Sequence, residues 1–277
     1  MRLLKQLGAV AAVAFAGSLA VGAVSGNAPL TLVLGVATAV LALVTYGWVV
    51  RRTERRAPVE VARAGAGAAV GRGLLIGAGM FAAVIVNIAF LGGYRVTGWG
   101  SALGALGFFG FTAAAAVTEE LIFRGILFRI VEERLGTWLA LALTGLLFGL
   151  SHLLNPHASL WGAIAIAVEA GGMLAAAYAA TRTLWLPIGL HFGWNFAEAG
   201  IFGTEVSGKS GDGLLDGVLS GPALLTGGEF GPEASAYSVL AGVVLTLVFM
   251  ALARRRGHLV PRRRRTPAGA ATATLSR

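Results

Sequence analysis

The chain has 277 residues, of which 56% are hydrophobic and only 13% are charged, and its mean hydropathy is +0.77. Soluble domains carry roughly 25% charged residues, so this composition excludes an ordinary soluble protein. The apolar residues form long runs and not the alternating ~10-residue segments of a transmembrane β-barrel, which indicates an all-α, polytopic membrane protein. The absence of cysteine excludes a disulfide framework, a thiol nucleophile and a thiolate metal site.

The net charge of +9 does not indicate a nucleic-acid partner, because most of the basic residues flank apolar runs. Cytoplasmic segments of membrane proteins are rich in Lys and Arg, and this placement follows that rule. We therefore predict a multi-pass protein of the cell membrane with both termini in the cytoplasm. The basic clusters are Arg2/Lys5, Arg51–Arg56, Arg124–Arg134, Arg254–Arg256 and Arg262–Arg265.

About eight apolar runs approach the ~20 residues that a membrane-spanning helix needs. The first also resembles a signal peptide, with small residues near Ala23, but we favour a retained helix because the second run follows at once. The fourth is either one long tilted helix or a helix preceded by a separate interfacial piece within Trp99–Phe109. The runs are Gly8–Val24, Leu30–Val50, Gly73–Gly92, Trp99 to about Glu133, Trp138–Leu154, Leu160–Ala180, Leu184–Ile201 and Tyr237–Ala253.

These runs divide the chain into five predicted parts. Residues 1–98 hold the N-terminal transmembrane helices and a connector, and residues 99–201 hold a catalytic helical core. Residues 202–235 are rich in Gly, Ser and acids, which predicts a solvent-exposed loop. Residues 236–253 form the last transmembrane helix. Residues 254–277 form a basic tail that is typical of disordered segments able to bind anionic lipid headgroups.

Three polar clusters interrupt the apolar runs. The first is Glu119 and Glu120 with Arg124, the second is His152 after Phe148, and the third is His191 with Asn195. A charge at bilayer depth costs at least ~2.5 kcal/mol, so such groups are rare without a function. In an antiparallel hairpin that turns at Gly136, the glutamates and His152 each lie about 16 residues from the turn, at ~24 Å depth. The third cluster starts from the same side, so all three can meet.

The residue types in these clusters suit hydrolysis. A carboxylate in a dry pocket can take a proton from water, and a histidine opposite it can hold that water or share a metal. An amide and a second histidine can stabilise the oxyanion of a tetrahedral intermediate. The i, i+4 pair Glu120–Arg124 either supports this site by keeping a glutamate ionised or is only a structural ion pair. The HExxH zinc motif is absent, so any metal must be gathered from separate helices.

The motifs Glu119-Glu120-x-x-x-Arg124, Phe148-x-x-x-His152 and His191-x-x-x-Asn195 resemble those of the CPBP family. This family comprises the CAAX protease and bacteriocin-processing (Abi) intramembrane peptidases, and Leu184-Trp185-x-Pro187 also resembles it. The resemblance covers roughly Trp99–Ile201 and implies an endopeptidase of eight helices.

By this resemblance, Glu119 and His152 position and activate the attacking water. His191 and Asn195 form the oxyanion side, and Glu120 and Arg124 support the site. The family pattern leaves open a divalent metal, such as Zn²⁺ held by His152 and His191 with Glu119, and no other cofactor is expected. The partners implied are membrane lipid and a peptide or lipidated-protein substrate.

Two other functions remain open from the sequence alone. Buried Glu, His and Arg also form proton relays, which would suit a proton-coupled transporter. A non-catalytic membrane scaffold or immunity protein is the second alternative. Two further acids lie outside the motifs: Glu169 is either protonated and hydrogen-bonded or lines a polar cavity near the site, and Glu198 marks the end of its helix.

Overall fold

The computed structural model describes residues 1–262, and residues 263–277 of the predicted basic tail lie outside the described part. The protein is 76% helical with almost no strand, and seven helices of the described part are long and apolar enough to cross a membrane. The prediction of a polytopic all-α membrane protein is therefore confirmed. An eighth helix, Trp185–Ile201, is slightly shorter and is packed among the others.

The fourth predicted run forms one long helix from Ala102, so the alternative of a separate interfacial piece within Trp99–Phe109 is wrong, and a strand that ends at Trp99 precedes the helix. The Ser101 side chain accepts a hydrogen bond from the Gly104 N–H at 2.9 Å and so caps this helix. The helices are α1 (Arg2–Ala23), α2 (Ala28–Glu54), α3 (Ala66–Phe90), α4 (Ala102–Leu135), α5 (Thr137–Ser151), α6 (Leu160–Thr181), α7 (Trp185–Ile201) and α8 (Ala236–Arg255). Strands β1 (Tyr94–Trp99) and β2 (Leu215–Leu219) pair antiparallel.

Consecutive helices run in opposite directions, so the helix ends collect on two faces. On the first, which we name the basic face, Arg182 binds Glu132 and the Thr137 N–H donates to the Val260 carbonyl at 3.0 Å. On the second, which we name the opposite face, the Trp161 indole donates to the Ala234 carbonyl at 2.9 Å. The connectors of the opposite face are residues 24–27, 91–101, 152–159 and 202–235.

Two buried carboxylates hold the basic face together. Glu54 accepts hydrogen bonds from Arg129 at 2.8 and 2.9 Å, which links α2 to α4. Glu60, in the connector after α2, accepts from Arg56 at 2.8 and 2.9 Å and from the Tyr46 hydroxyl. Burial alone would raise the pKa of Glu60, but these donors hold it below its ordinary value.

Close packing against α3 fixes the position of α7. A Cβ atom on Gly189 or Gly193 would lie 2.3 or 2.4 Å from a backbone oxygen of α3. A Cβ atom on Gly73 or Gly77 would lie 2.3 or 2.1 Å from a backbone oxygen of α7. Small residues spaced four apart let membrane helices approach this closely. His191 lies between the two glycines of α7, so this contact sets its depth in the bundle.

The prediction of a solvent-exposed loop at 202–235 is wrong for much of the segment. Thr204, Val206, Phe230 and Glu233 are each less than 5% exposed. The segment pairs β2 with β1 and then passes over the helix ends of the opposite face through short helical turns. Its Gly and Ser content, which indicated solvent, instead permits close backbone contacts with the bundle.

We expect Glu60→Gln to lower the free energy of unfolding by roughly 1.5–3 kcal/mol at neutral pH, because it removes hydrogen bonds to a charged acceptor. The pKa of folded Glu60 lies below its unfolded value, so its stabilisation is present at neutral pH and is lost as the pH falls through the folded pKa. Melting temperatures of wild type and variant in detergent should therefore converge on acidification. Glu229→Gln, at a side chain that is 84% exposed, should leave the melting temperature unchanged. A wild-type-to-variant difference that stays constant with pH would contradict this account.

Candidate active site

The first cluster lies where α4 changes from an α-helix to a π-helix. The α-helical part ends at Glu120, and residues Leu121–Phe128 are π-helical. Such turns are rare and frequently occur at functional sites. The described residues form two other π-helical stretches, and each contains an acid: Glu169 lies in Ala167–Gly172 and Glu198 lies in Phe196–Ile201.

Glu120 and Arg124 form a fully buried ion pair. The Arg124 Nη1 atom donates to Glu120 Oε1 at 2.7 Å, and the side chains are 1% and 0% exposed. Arg124 Nη2 also donates to the carbonyls of Ala170 and Gly171 on α6, at 3.2 and 3.1 Å. Its guanidinium carbon lies 4.5 Å from the centre of the Phe148 ring on α5. This pair therefore connects α4, α5 and α6, and it contributes to helix packing as well as to charge balance.

Glu119 has a different environment from its neighbour. Its side chain is 31% exposed, whereas that of Glu120 is 0% exposed. Within residues 1–262, the buried Oε2 atom of each glutamate has no hydrogen-bond partner. Glu119 Oε2 lies 4.0 Å from His191 Nε2. Glu119 is thus the carboxylate that remains available to a molecule entering the site.

The two histidines are oriented by their Nδ1 atoms. His152 Nδ1 lies 2.8 Å from the Phe148 carbonyl, which can only accept, so Nδ1 carries the proton. His191 Nδ1 lies 3.2 Å from Glu120 Oε1 and donates to it in the same way. The Nε2 atom of each ring is therefore left for other partners.

Four of the six predicted site residues line one cavity of about 120 Å³. Glu119, His152, His191 and Asn195 surround it, while Glu120 and Arg124 lie behind its wall. Asn195 is half-buried and reaches the cavity one helical turn after His191. The cavity is completed by side chains that the sequence did not indicate, namely Ser151, Asn155, Ser207 and Lys209.

A buried acidic group lies beside the histidines. Glu169 and Glu233 share a small cavity of about 20 Å³ with His152 and His191, so the cavity alternative for Glu169 is confirmed. Glu198, predicted to mark the end of its helix, is 0% exposed and accepts from the Glu233 backbone N–H at 3.3 Å. Burial raises the pKa of Glu233.

Glu169 and Glu198 carried a signal in the sequence, because both acids lie in apolar runs that are predicted to span the membrane. Ser207, Lys209 and Glu233 come from the segment predicted as a solvated loop, where no helical spacing points to the site. Nothing in the sequence pattern could have indicated them.

The predicted metal site does not fit the described residues, among which no group of three His, Asp or Glu side chains is placed to hold an ion. Both Nδ1 atoms are engaged elsewhere, and Glu119 Oε2 is the only carboxylate oxygen of the described residues within 4.0 Å of His191 Nε2. Metal dependence stays a prediction, which metal analysis of the purified protein would test.

A larger cavity of about 690 Å³ reaches Glu119 from the side, between α1, α2 and α4. Its walls are mainly small or apolar, with Ala14 and Phe15 on α1 and Phe108 on α4. It ends at Asp212 on the opposite face. The residues that line both this cavity and the smaller one are Phe111, Ala115, Glu119 and Lys209.

Part of the chain resembles a known protein family. Residues 99–197 match the family described as type II CAAX prenyl endopeptidase Rce1-like, and this range contains all three clusters. No curated protein and no solved structure matches the chain. The match over residues 99–197 supports the resemblance of this part of the chain to the CAAX-protease (CPBP) family.

Proposed function

We propose that the protein is an intramembrane endopeptidase in which Glu119 is the general base that activates water. The observation that carries the proposal is the contrast between adjacent glutamates. The Glu120 side chain is 0% exposed and is neutralised by Arg124 at 2.7 Å, whereas the Glu119 side chain is 31% exposed, lines both cavities and lies 4.0 Å from His191 Nε2. A carboxylate within reach of water and of a peptide bond is the group that general-base hydrolysis requires.

The reaction then proceeds by proton transfer and attack. Glu119 removes a proton from water while His152 Nε2 accepts the second hydrogen bond of that water. The hydroxide attacks the scissile carbonyl carbon, and its carbonyl oxygen becomes an oxyanion. Collapse of the intermediate breaks the C–N bond, and Glu119 returns its proton to the departing amine. The products are a carboxyl group and a free amine, and no other reactant is consumed.

The oxyanion is stabilised from the other side of the cavity. The Asn195 amide donates to it, and so does His191 when its Nε2 atom is protonated. Glu120 accepts from His191 Nδ1 and thereby orients that ring, so Glu120 and Arg124 act as positioning residues. Removal of one oxyanion-hole donor costs on the order of 10²–10³ in rate in other hydrolases.

The substrate that suits this site has an apolar portion. The side cavity of about 690 Å³ is large enough for a lipid chain or the apolar side chains of a peptide. It joins the smaller cavity at Glu119, so such a portion would place a neighbouring peptide bond at the base. A lipidated protein therefore belongs to the proposed substrate class.

We expect Glu119→Gln to reduce cleavage by at least about 10²-fold, because it removes the base without changing side-chain volume. The measurement compares the peptide termini in membrane fractions of cells that express wild type or variant at equal levels. Peptide termini that are present with wild type and absent with the variant identify the cleavage sites and the sequence that the enzyme recognises. Glu229→Gln, at an exposed carboxylate, is the control and should leave the termini unchanged. Identical termini for wild type and a folded Glu119→Gln variant would favour a transporter or a scaffold.

The two glutamates should differ in stability as well as in activity. We expect Glu120→Gln to destabilise the fold by roughly 3–5 kcal/mol, because it leaves the Arg124 charge buried without its partner. Glu119→Gln should leave the melting temperature in detergent within experimental error of wild type. Equal losses of stability in both variants would assign Glu119 a structural role and contradict the proposed division.

The side cavity gives a prediction about substrate class. Ala115 lines both cavities, so Ala115→Phe should fill their junction and reduce cleavage of a lipidated peptide at least tenfold. An otherwise identical peptide without the lipid should be affected less. Ala113→Phe, on the same helix but away from both cavities, is the matched control. Equal effects on both peptides would contradict the proposal that the side cavity binds the lipid of the substrate.

A further inference from the structure

The positive charge of the protein is distributed very unevenly between its two faces. At the opposite face, the described residues contain only Arg95 and Lys209 as basic side chains, alongside the acids Glu205, Asp212, Asp216 and Glu229. The basic face has Arg2, Lys5, Arg51, Arg52, Arg55, Arg56, Arg63, Arg129, Arg134, Arg182, Arg254, Arg255, Arg256 and Arg262. An excess of this size in short connectors orients a membrane protein with the basic face towards the cytoplasm.

The candidate active site opens on the other side of the membrane. Asn155, from the connector after α5, and Ser207 and Lys209, from the 202–235 segment, line the smaller cavity. All three belong to the opposite face, and the Lys209 side chain is exposed there. The side cavity also ends at that face, at Ser210–Asp212.

The route from the site to the basic face is blocked. The Glu120–Arg124 pair lies directly behind the cavity wall and is almost completely buried. Closer to the basic face, Tyr46, Phe128 and Tyr178 are 0–3% exposed, and the rings of Phe128 and Tyr178 are 5.6 Å apart. Neither a peptide nor bulk water can reach Glu119 through this layer without unpacking it.

We propose that the site is entered from the non-cytoplasmic face, so that the enzyme cleaves polypeptides whose scissile segment lies outside the cytoplasm. This inference rests on the proposed peptidase function and narrows its substrates. The class consists of exported or membrane-anchored proteins that present an extended segment beside the outer half of the bilayer. A protein lipidated and retained in the cytoplasm lies outside this class.

The absence of cysteine from the chain makes the orientation directly measurable. Ser220→Cys introduces one thiol at an exposed position of the opposite face that lines neither cavity, and Ala64→Cys introduces one in the exposed connector of the basic face. The probe is a membrane-impermeant maleimide, applied to sealed right-side-out vesicles and to the same vesicles after detergent. Neither position belongs to the catalytic set, so both variants should retain cleavage activity.

We expect Ser220→Cys to be labelled in sealed right-side-out vesicles to nearly its level in detergent, because the thiol is then freely accessible to the probe. Ala64→Cys should be labelled only after detergent. The reverse pattern would overturn the proposal, and so would labelling of both positions in sealed vesicles. A protein that inserts in two orientations gives the latter result.

A second experiment distinguishes failure of this inference from failure of the proposed function. An impermeant peptide that carries the cleavage sequence is added to sealed right-side-out vesicles, to sealed inside-out vesicles and to detergent extracts. Cleavage in right-side-out vesicles and extracts supports the proposal, and cleavage in inside-out vesicles and extracts overturns it. No cleavage in extracts of the folded protein refutes the peptidase function, and with it the substrate class, whichever face the thiol labelling identifies.

Discussion

The ion pair between Glu120 and Arg124 is the interaction on which the site depends. A charged pair inside a membrane bundle needs further hydrogen bonds besides its own contact, because the desolvation cost is several kcal/mol per ion. Two atoms of this pair, Glu120 Oε2 and Arg124 Nε, have no partner among the described residues. Here the guanidinium meets a carboxylate, two backbone carbonyls of α6 and the face of Phe148, while the carboxylate also accepts from His191. One pair thus fixes four helices relative to each other, and the catalytic candidates lie on α4, on α7 and directly after α5.

Two adjacent glutamates acquire different roles because a helix turns about 100° per residue. Glu120 faces the bundle interior, where Arg124 balances its charge, and Glu119 faces the cavity beside His191. The change to π-helical geometry directly after Glu120 alters which residues of α4 follow on each face. In α6, π-helical geometry interrupts the regular pattern of backbone hydrogen bonds at the same place where a backbone carbonyl of α6 accepts a hydrogen bond from Arg124. Helix irregularity and charge burial are therefore two parts of one arrangement.

The sequence could predict this site only where chemistry repeats with the helical period. The pairs Glu120–Arg124 and His191–Asn195 are four residues apart in apolar runs, and the shared depth of His152 followed from counting residues to a turn. The carbonyl partners of Arg124 could not be predicted, because backbone acceptors have no sequence signature. Glu233 could not be predicted either, since its segment has the composition of a solvated loop and is buried only by contacts with distant helices. The all-α fold, by contrast, followed from hydrophobic run length alone.

The arrangement of the cavities bears on the choice between hydrolysis and transport. A transporter must expose its central carboxylate to each face in turn, which requires a path that can open on both sides. Glu119 instead lies where an apolar side cavity meets a smaller polar one, and both end at the same face. Towards the basic face, the Arg124 pair and the layer around Phe128 close the bundle. A peptide bond carried in by an apolar group would meet water and base at that junction, which is the condition that intramembrane hydrolysis has to satisfy.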